Sequence, residues 1–257
     1  MHRSPRAAIA ASILSLMLLV PGAVSAVDPS PGEFPDLTMA PLVTPPPIVA
    51  PSARDAAIPV DGYILGASDA PVIVEVFEDF QCPYCHQFTL QVEPQLIDTF
   101  VRPGLVALVF KDLPFLGEES RWAAVAGRLA AQQDRFWPMH DYLFANQLGE
   151  NVGSFTPDRL MVMAQAAGLD MGQFIAGLQV PAARELYAEI QAGAMQSAGS
   201  LGVNATPTVV VNGVPVASPD FATVAAAIQT ALAASGPSTS SPVPSRSPEP
   251  SPTDRTP

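Results

Sequence analysis

The 257-residue chain is short of several things, and each shortage excludes something. Cysteine occurs only at Cys82 and Cys85. Two cysteines three apart cannot make the framework of bridges that holds a disulfide-dense scaffold together. Lysine occurs once, at Lys111, so no polybasic stretch addresses an anionic membrane surface. The balance of 12 Lys and Arg against 24 Asp and Glu leaves a net charge of −12. That argues against nucleic acid as a partner, which calls for a basic face. The apolar run Ala7 to Val20 is shorter than the ~20 residues of a spanning helix. There is no internal repeat.

What is present divides the chain into four parts. Residues 1–26 read as a secretory signal. Arg3 and Arg6 precede the apolar run, and Val24-Ser25-Ala26 offers a cleavage site. Without cleavage the same segment would be a membrane anchor. Either way the expected location is extracytoplasmic (secreted, periplasmic or on the cell envelope), where disulfides persist. Residues 27–60, which include Pro45-Pro46-Pro47, read as a disordered linker, and the Pro/Ser-rich residues 236–257 as a disordered tail. Residues 61–235 remain as one folded domain.

Within that domain Tyr63-Ile64-Leu65 is a short apolar piece. Val72 to Phe77 is a nearly continuous β-branched run, the mark of a strand buried on both faces. Cys82 to about Phe100 reads as a helix with Pro83 in its first turn and Phe88, Val92 and Leu96 inward. Leu105 to Phe110 is a second buried strand. Helices are expected around Trp122–Leu129, over 136–146, after the N-cap Thr156 with Pro157 at N1 and ending at Gly168, and over 184–200. Thr208–Val211, Asn212-Gly213 and Val214–Val216 form a hairpin pattern, and Asn-Gly suits a type I′ turn. Pro215 confines the second arm to an edge. Ser218-Pro219-Asp220 opens a last helix. The order is α/β, with helices interrupting the strands.

The run Cys82-Pro83-Tyr84-Cys85 carries the candidate chemistry. As a structural staple it closes so short a loop that the chain-entropy gain is only about 2 kcal/mol. As a zinc site it needs two more ligands, and His86 and His140 lack paired spacing. As a redox pair it has a mechanism. A cysteine at a helix start faces unpaired N–H groups and the positive end of the dipole, so Cys82 should be the exposed, acidic thiol and Cys85 the buried, resolving one. Full ionisation raises the reactive fraction about 30-fold at neutral pH. A three-unit fall in pKa costs about 20-fold in nucleophilicity, so attack gains little. The larger effect is on leaving-group quality and on the stability of the reduced form.

The passage Val74 to Cys85 resembles the strand-to-active-site passage of DsbA-like proteins of the thioredoxin superfamily. Phe136-Trp137-Pro138-Met139-His140-Asp141 resembles that family's helical insertion, and Gly202 to Thr208 its loop before the third core strand. The likeness spans about Asp61 to Ala234. It implies a thioredoxin-like fold with a helical insertion between the second core strand and a cis-Pro loop at Thr206–Pro207. It implies Cys82 as nucleophile, Cys85 as resolver, and Thr206 and Pro207 as contacts for a bound peptide. It also implies protein thiol–disulfide oxidoreductase activity without a cofactor. The expected partners are thiol-containing exported proteins and a membrane quinone-linked reoxidant, and a monomer is expected. Donation of the Cys82–Cys85 disulfide is the leading reading, with isomerase or reductase work beside it. A metal-binding module built on the cysteine pair, with no enzymatic activity, is the reading from another class. Pro83-Tyr84 replaces the Pro-His of the best-known DsbA, so one stabiliser of the thiolate is missing. Glu75, in an apolar strand, is a candidate proton acceptor for Cys85, or else an acid satisfied by hydrogen bonds near a sheet edge. Glu78 and Asp79 read as solvated loop acids, and Met139 and His140 as helix-face packing. No metal site is expected.

Overall fold

Seven residues, Val72–Glu78, form the strand around which the fold is built. In the computed structural model, which describes residues 46–235, this strand (β3) has β4 (Val106–Asp112) parallel on one side and β5 (Thr208–Val211) antiparallel on the other. β1 (Val60–Asp61), β2 (Ile64–Leu65) and β6 (Val214–Pro215) complete the order β1-β2-β4-β3-β5-β6. Parallel neighbours need a crossover, and helix α1 (residues 83–101) supplies it between β3 and β4. Four helices follow β4: α2 (Glu118–Ala131), α3 (Phe136–Ala145), α4 (Pro157–Ala166) and α5 (Met171–Leu178). The long α6 (Val180–Leu201) returns to β5, and α7 (Phe221–Ser235) ends the described chain. This is a thioredoxin-like α/β fold with a mixed sheet and a helical insertion. No helix among the described residues is long and apolar enough to cross a membrane. The predicted signal 1–26, residues 27–45 of the predicted linker and the tail 236–257 lie outside the described residues.

Four features depart from the sequence expectations. First, β3 is not buried on both faces throughout. Val72, Val74 and Val76 enter the main core, whereas Ile73 is exposed and Glu75 half-buried. Second, residues 171–178 form a helix that no periodicity announces. At two turns it is too short to show one, and the Asp170 carboxylate caps it by accepting from Gln173 N at 2.9 Å.

Third, α1 is not a regular helix. α-Helical Pro83–Gln87 and Glu93–Leu96 alternate with π-wound Phe88–Val92 and Ile97–Val101. Pro94 has no N–H for the carbonyl four residues back, so the ladder widens there, and Glu93 N reaches Phe88 O instead. Each wide turn advances the inward face by a residue. Val92, expected to face in, is only half-buried, and its neighbour Glu93 is buried in its place.

Fourth, residues 46–60 do not behave as a linker. They are docked against the helical insertion and α1. Val49 exchanges hydrogen bonds with the Asn146 amide at 2.7 and 2.8 Å, and Arg159 donates to Pro46 O at 2.5 Å. Ile58 joins the core. Arg54 reaches further in, to Glu93 at 2.6 Å and to both oxygens of Asp141 at 2.5 and 2.7 Å, with its guanidinium 4.7 Å from the Trp137 ring centroid. The expectation of disorder rested on proline content. It fails here because apolar and charged groups in the segment find buried partners.

Removing Arg54 would strand two nearly buried carboxylates. Arg54→Ala is expected to lower the unfolding free energy by about 3 kcal/mol, and Arg54→Lys to restore only part of it, because an ammonium cannot fork across Asp141. Urea unfolding of the three proteins checks this.

Candidate active site

The active-site turn begins where β3 ends. Glu78 is the last residue of the strand, and the next residue, Asp79, organises the turn. Its Oδ1 accepts from Gln81 N at 2.8 Å and from Ser120 Oγ at 2.6 Å. Its Oδ2 accepts from Phe115 N and Leu116 N at 2.8 and 3.0 Å. One carboxylate thus ties the turn before Cys82 to the loop after β4 and to α2. Gln81 donates to Ser120 Oγ and accepts from Asn151 N at 2.5 Å, while Gln147 Nε2 donates to the Phe80 and Cys82 carbonyls at 2.6 and 3.1 Å. Gly117 sits at φ +132°, with the Asn151 amide 2.5 Å from where a Cβ would stand, so a side chain is excluded there. The reading of Asp79 as a solvated acid is therefore corrected: it is buried and fully used in positioning the turn.

Cys82 is the N-cap of α1, with Pro83 inside the first turn, as the sequence predicts. The two cysteines are free thiols. Cys82 Sγ accepts from Cys85 N at 3.4 Å and lies 3.4 Å from Thr206 O, and the Thr206–Pro207 bond is cis. The cysteine turn and the loop before β5 therefore meet across more than a hundred residues of chain. Cys82 is not the open thiol expected: it is 4 % exposed, because the Thr206 loop covers it, while Pro83 and Tyr84 are exposed beside it. Cys85 is fully buried.

The electrostatics separate the two sulfurs. The hydrogen bond from the Cys85 thiol, above all, pulls the Cys82 pKa down to about 6 against the opposing effect of burial. The Thr206 side chain and the N–H groups of Cys85 and Tyr84 add to it. Burial pushes Cys85 well above the usual thiol range, reinforced by its bond to Cys82 and by the charge of Glu78. His86 is half-buried, and burial lowers its pKa. It therefore does not supply the charge that could replace the missing Pro-His histidine.

Glu75 is not where a proton acceptor for Cys85 should be. It pairs with Lys111 of the adjacent strand at 2.9 Å, on the opposite face of β3 from Val74 and Val76, which pack with both cysteines in the core. The period-two alternation of a strand decides this. The acid on the cysteine side is Glu78, read from the sequence as solvated but fully buried. Burial above all, with the charges of Glu93 and Cys82, raises its pKa to about 7 against the lowering effect of His140. His140 lies fully buried on α3 amid five aromatic rings, Phe80, Phe110, Phe136, Trp137 and Phe144, whose centroids are 4.9–6.0 Å from its own. Burial disfavours its charge, but Glu93, Asp141 and Glu78 outweigh burial and lift its pKa to about 9.

Glu78, Glu93 and His140 also point one ligand-capable atom each at a common place, all within 4.8 Å of one another. The Arg54 guanidinium, 2.6 Å from Glu93 and 3.3 Å from His140 Nδ1, already supplies the positive charge on that side. These acids carried no sequence signal beyond their residue type. Only the register of β3 and the π-turns of α1 bring them inward.

A thiol with a depressed pKa at a helix start, a buried partner thiol with a raised one, and a cis-Pro edge in contact with the first define the class: the protein is a thiol–disulfide oxidoreductase of thioredoxin fold. The family model described as thioredoxin (Thioredoxin_4) matches residues 60–230, and the chain belongs to that family. It is 34 % identical over 172 residues to the probable disulfide bond formation protein D of Bacillus cereus, covering 65 % of this chain and 77 % of that one. It superposes on oxidised BdbD of Bacillus subtilis with a TM-score of 0.61 at 26 % identity, over 68 % of this chain and 96 % of the other. DsbA of Chlamydia trachomatis, at 20 % identity and a TM-score of 0.56 over 69 and 95 % of the two chains, shares the fold.

A thiol whose folded pKa is depressed stabilises the native state fully above its unfolded pKa, and that stabilisation is lost as pH falls through the folded value. For Cys82 the window runs from the ordinary thiol value of 9.0 down to about 6. The melting temperature of the reduced protein, minus that of the oxidised protein, is expected to climb between pH 6 and pH 9. Thiolate absorbance of the reduced protein should show an inflection near pH 6 that Cys82→Ser abolishes.

Proposed function

We propose that the protein works outside the cytoplasm and donates its Cys82–Cys85 disulfide to exported proteins. The observation that carries this reading is the stabilised Cys82 thiolate held against the Thr206–Pro207 edge. A client thiolate attacks Cys82 Sγ, the Cys82–Cys85 bond breaks, and Cys85 leaves and takes up a proton. A second client thiolate then attacks the client sulfur of the mixed disulfide and expels Cys82 as a thiolate. The client loses two electrons to the enzyme pair. A membrane quinone-linked partner returns the pair to the disulfide, as the resemblance to DsbA-like proteins implies.

Magnitudes show what the low pKa contributes. Lowering it from 9.0 to about 6 stabilises the reduced form by about 1.4 kcal/mol at pH 7, or about 30 mV toward the oxidant side. Thioredoxin and DsbA lie about 150 mV apart, so this effect sets the sign of a bias rather than the whole potential. The relatives described as disulfide bond formation protein D favour the same direction.

Client recognition fits the surface around the sulfur. Tyr84 is 68 %, Phe115 55 % and Val152 60 % exposed, each on a segment tied to the active-site turn. Together they give an unfolded chain apolar contacts, while Thr206 and Pro207 present backbone to it.

The test is transfer of the disulfide from the oxidised full chain to reduced, unfolded ribonuclease, together with the reduction potential against glutathione. Stoichiometric transfer, lost in Cys82→Ser, is expected. A potential at or below the thioredoxin value of about −270 mV would assign the protein to reductase work instead.

A further inference from the structure

Cys85 has to change protonation state in every cycle, yet it has no route to solvent on the substrate side. Its side chain is fully buried, Cys82 and the Thr206 loop lie over it, and at the mixed-disulfide stage the client covers both. The proton must cross the protein behind the cysteines. We propose that His140 is a proton relay connecting Cys85, through Glu78, to a cavity of about 310 Å³ on the far side of the acid cluster, where Glu93 and Asp141 meet the docked N-terminal segment. The inference rests on thiol exchange at Cys82 and Cys85 and holds in either redox direction.

Glu78 lies on the same face of β3 as Val74 and Val76, which pack with both cysteines, and measured contacts supply the links beyond it. Glu78 is the carboxylate whose charge acts on Cys85. Its Oε2 is 3.9 Å from His140 Nε2, and its Oε1 is 3.5 Å from the Thr89 hydroxyl. His140 Nε2 is buried and lacks a hydrogen-bond partner, and it lies 3.9 Å from Glu93 Oε2 as well. A separation of 3.9 Å exceeds a direct hydrogen bond by about 1 Å, a span that a side-chain adjustment or one bridging water closes. On the opposite edge of the ring, Nδ1 is 3.0 Å from Asp141 Oδ1, and Asp141, Glu93, Thr89 and Arg54 all line the cavity. The charged groups facing His140 are therefore Glu78 from β3, Glu93 from α1, Arg54 from the N-terminal segment and Asp141 from its own helix. Arg54 fixes the two cavity-side acids in place.

When Cys85 must attack, its proton passes to the Glu78 carboxylate. The resulting thiolate attacks Cys82, the Cys85–Cys82 bond forms, and the Cys82 bond to the partner sulfur breaks, releasing a thiolate. His140, charged at rest, first gives its Nε2 proton to Glu93 Oε2, which releases it to the cavity, and then takes the Glu78 proton at the same nitrogen, while Nδ1–H stays against Asp141. When Cys85 instead leaves as a thiolate, the same path runs inward.

The experiment follows reduced full-length protein reacting with glutathione disulfide, quenched with acid and read by mass spectrometry. The first step, attack by Cys82, gives the glutathione adduct. The second, attack by Cys85, closes the disulfide. His140→Gln and Asp141→Asn are each expected to slow the second step at least tenfold and to flatten its pH profile, with the first step unchanged within twofold. Circular dichroism and melting identify the folded variants, and Asp141→Asn decides alone if His140→Gln does not fold. An unchanged ratio of the two rates in a folded variant overturns the relay. So does a tightly bound metal ion whose removal changes the second step, since Glu78, Glu93 and His140 would then be ligands. Failure of the first step in the unmodified protein would instead defeat the exchange chemistry itself.

Discussion

The site depends on holding the Cys82 sulfur at the open end of a helix while its partner sulfur stays one turn inside. Everything near it serves that placement. The N–H groups at the start of α1 and the Cys85 thiol favour charge on Cys82, while burial keeps Cys85 neutral. The two sulfurs are three residues apart and differ widely in acidity because one sits at the helix terminus and the other inside the core. Cys82, though only 4 % exposed, is the one of the two with any exposure; Cys85 has none.

The helical insertion, α2 to α5, is part of this placement. Asp79 and Gln81 in the turn bind Ser120 of α2 and Asn151 of the loop after α3, and Gln147 holds the Cys82 carbonyl. The insertion also carries His140, so the chemistry at the sulfurs and the packing of the added helices share residues. Beneath them, Glu78, Glu93, Asp141, His140 and Arg54 come from β3, α1, α3 and a segment ahead of the sheet. Separate pieces of chain thus become electrically coupled in a largely buried cluster, where each charge acts more strongly than at the surface.

Much of the site was legible in the sequence. Cys82 and Cys85, the exposed dipeptide Pro83-Tyr84 and the Thr206–Pro207 loop stand where the sequence and the resemblance put them, and the Asn212-Gly213 hairpin has both turn residues at positive φ. The cysteine turn and the hairpin depend on local rules, a proline at a helix start, a short spacing of cysteines and an Asn-Gly turn, whereas the Thr206–Pro207 loop was legible only through the resemblance. The buried acids were misassigned. Glu75 and Glu78 differ only in strand parity, and a strand thought to be buried on both faces offers no parity to read. Glu93 was hidden for another reason. Pro94 widens α1 and turns Glu93 inward in place of Val92, and helical periodicity counted at 3.6 residues per turn cannot anticipate that.

The sequence alone therefore determined the reaction, because thiol chemistry is written in residue type and in a spacing that one helical turn converts into geometry. The tertiary structure decided which carboxylate is buried on the side of the buried sulfur, that a stretch rich in proline docks rather than dangles, and that a histidine read as packing lies between two acids. Those outcomes depend on which faces of distant segments meet and on what each contact buries. Neither is a property of any local run of residues.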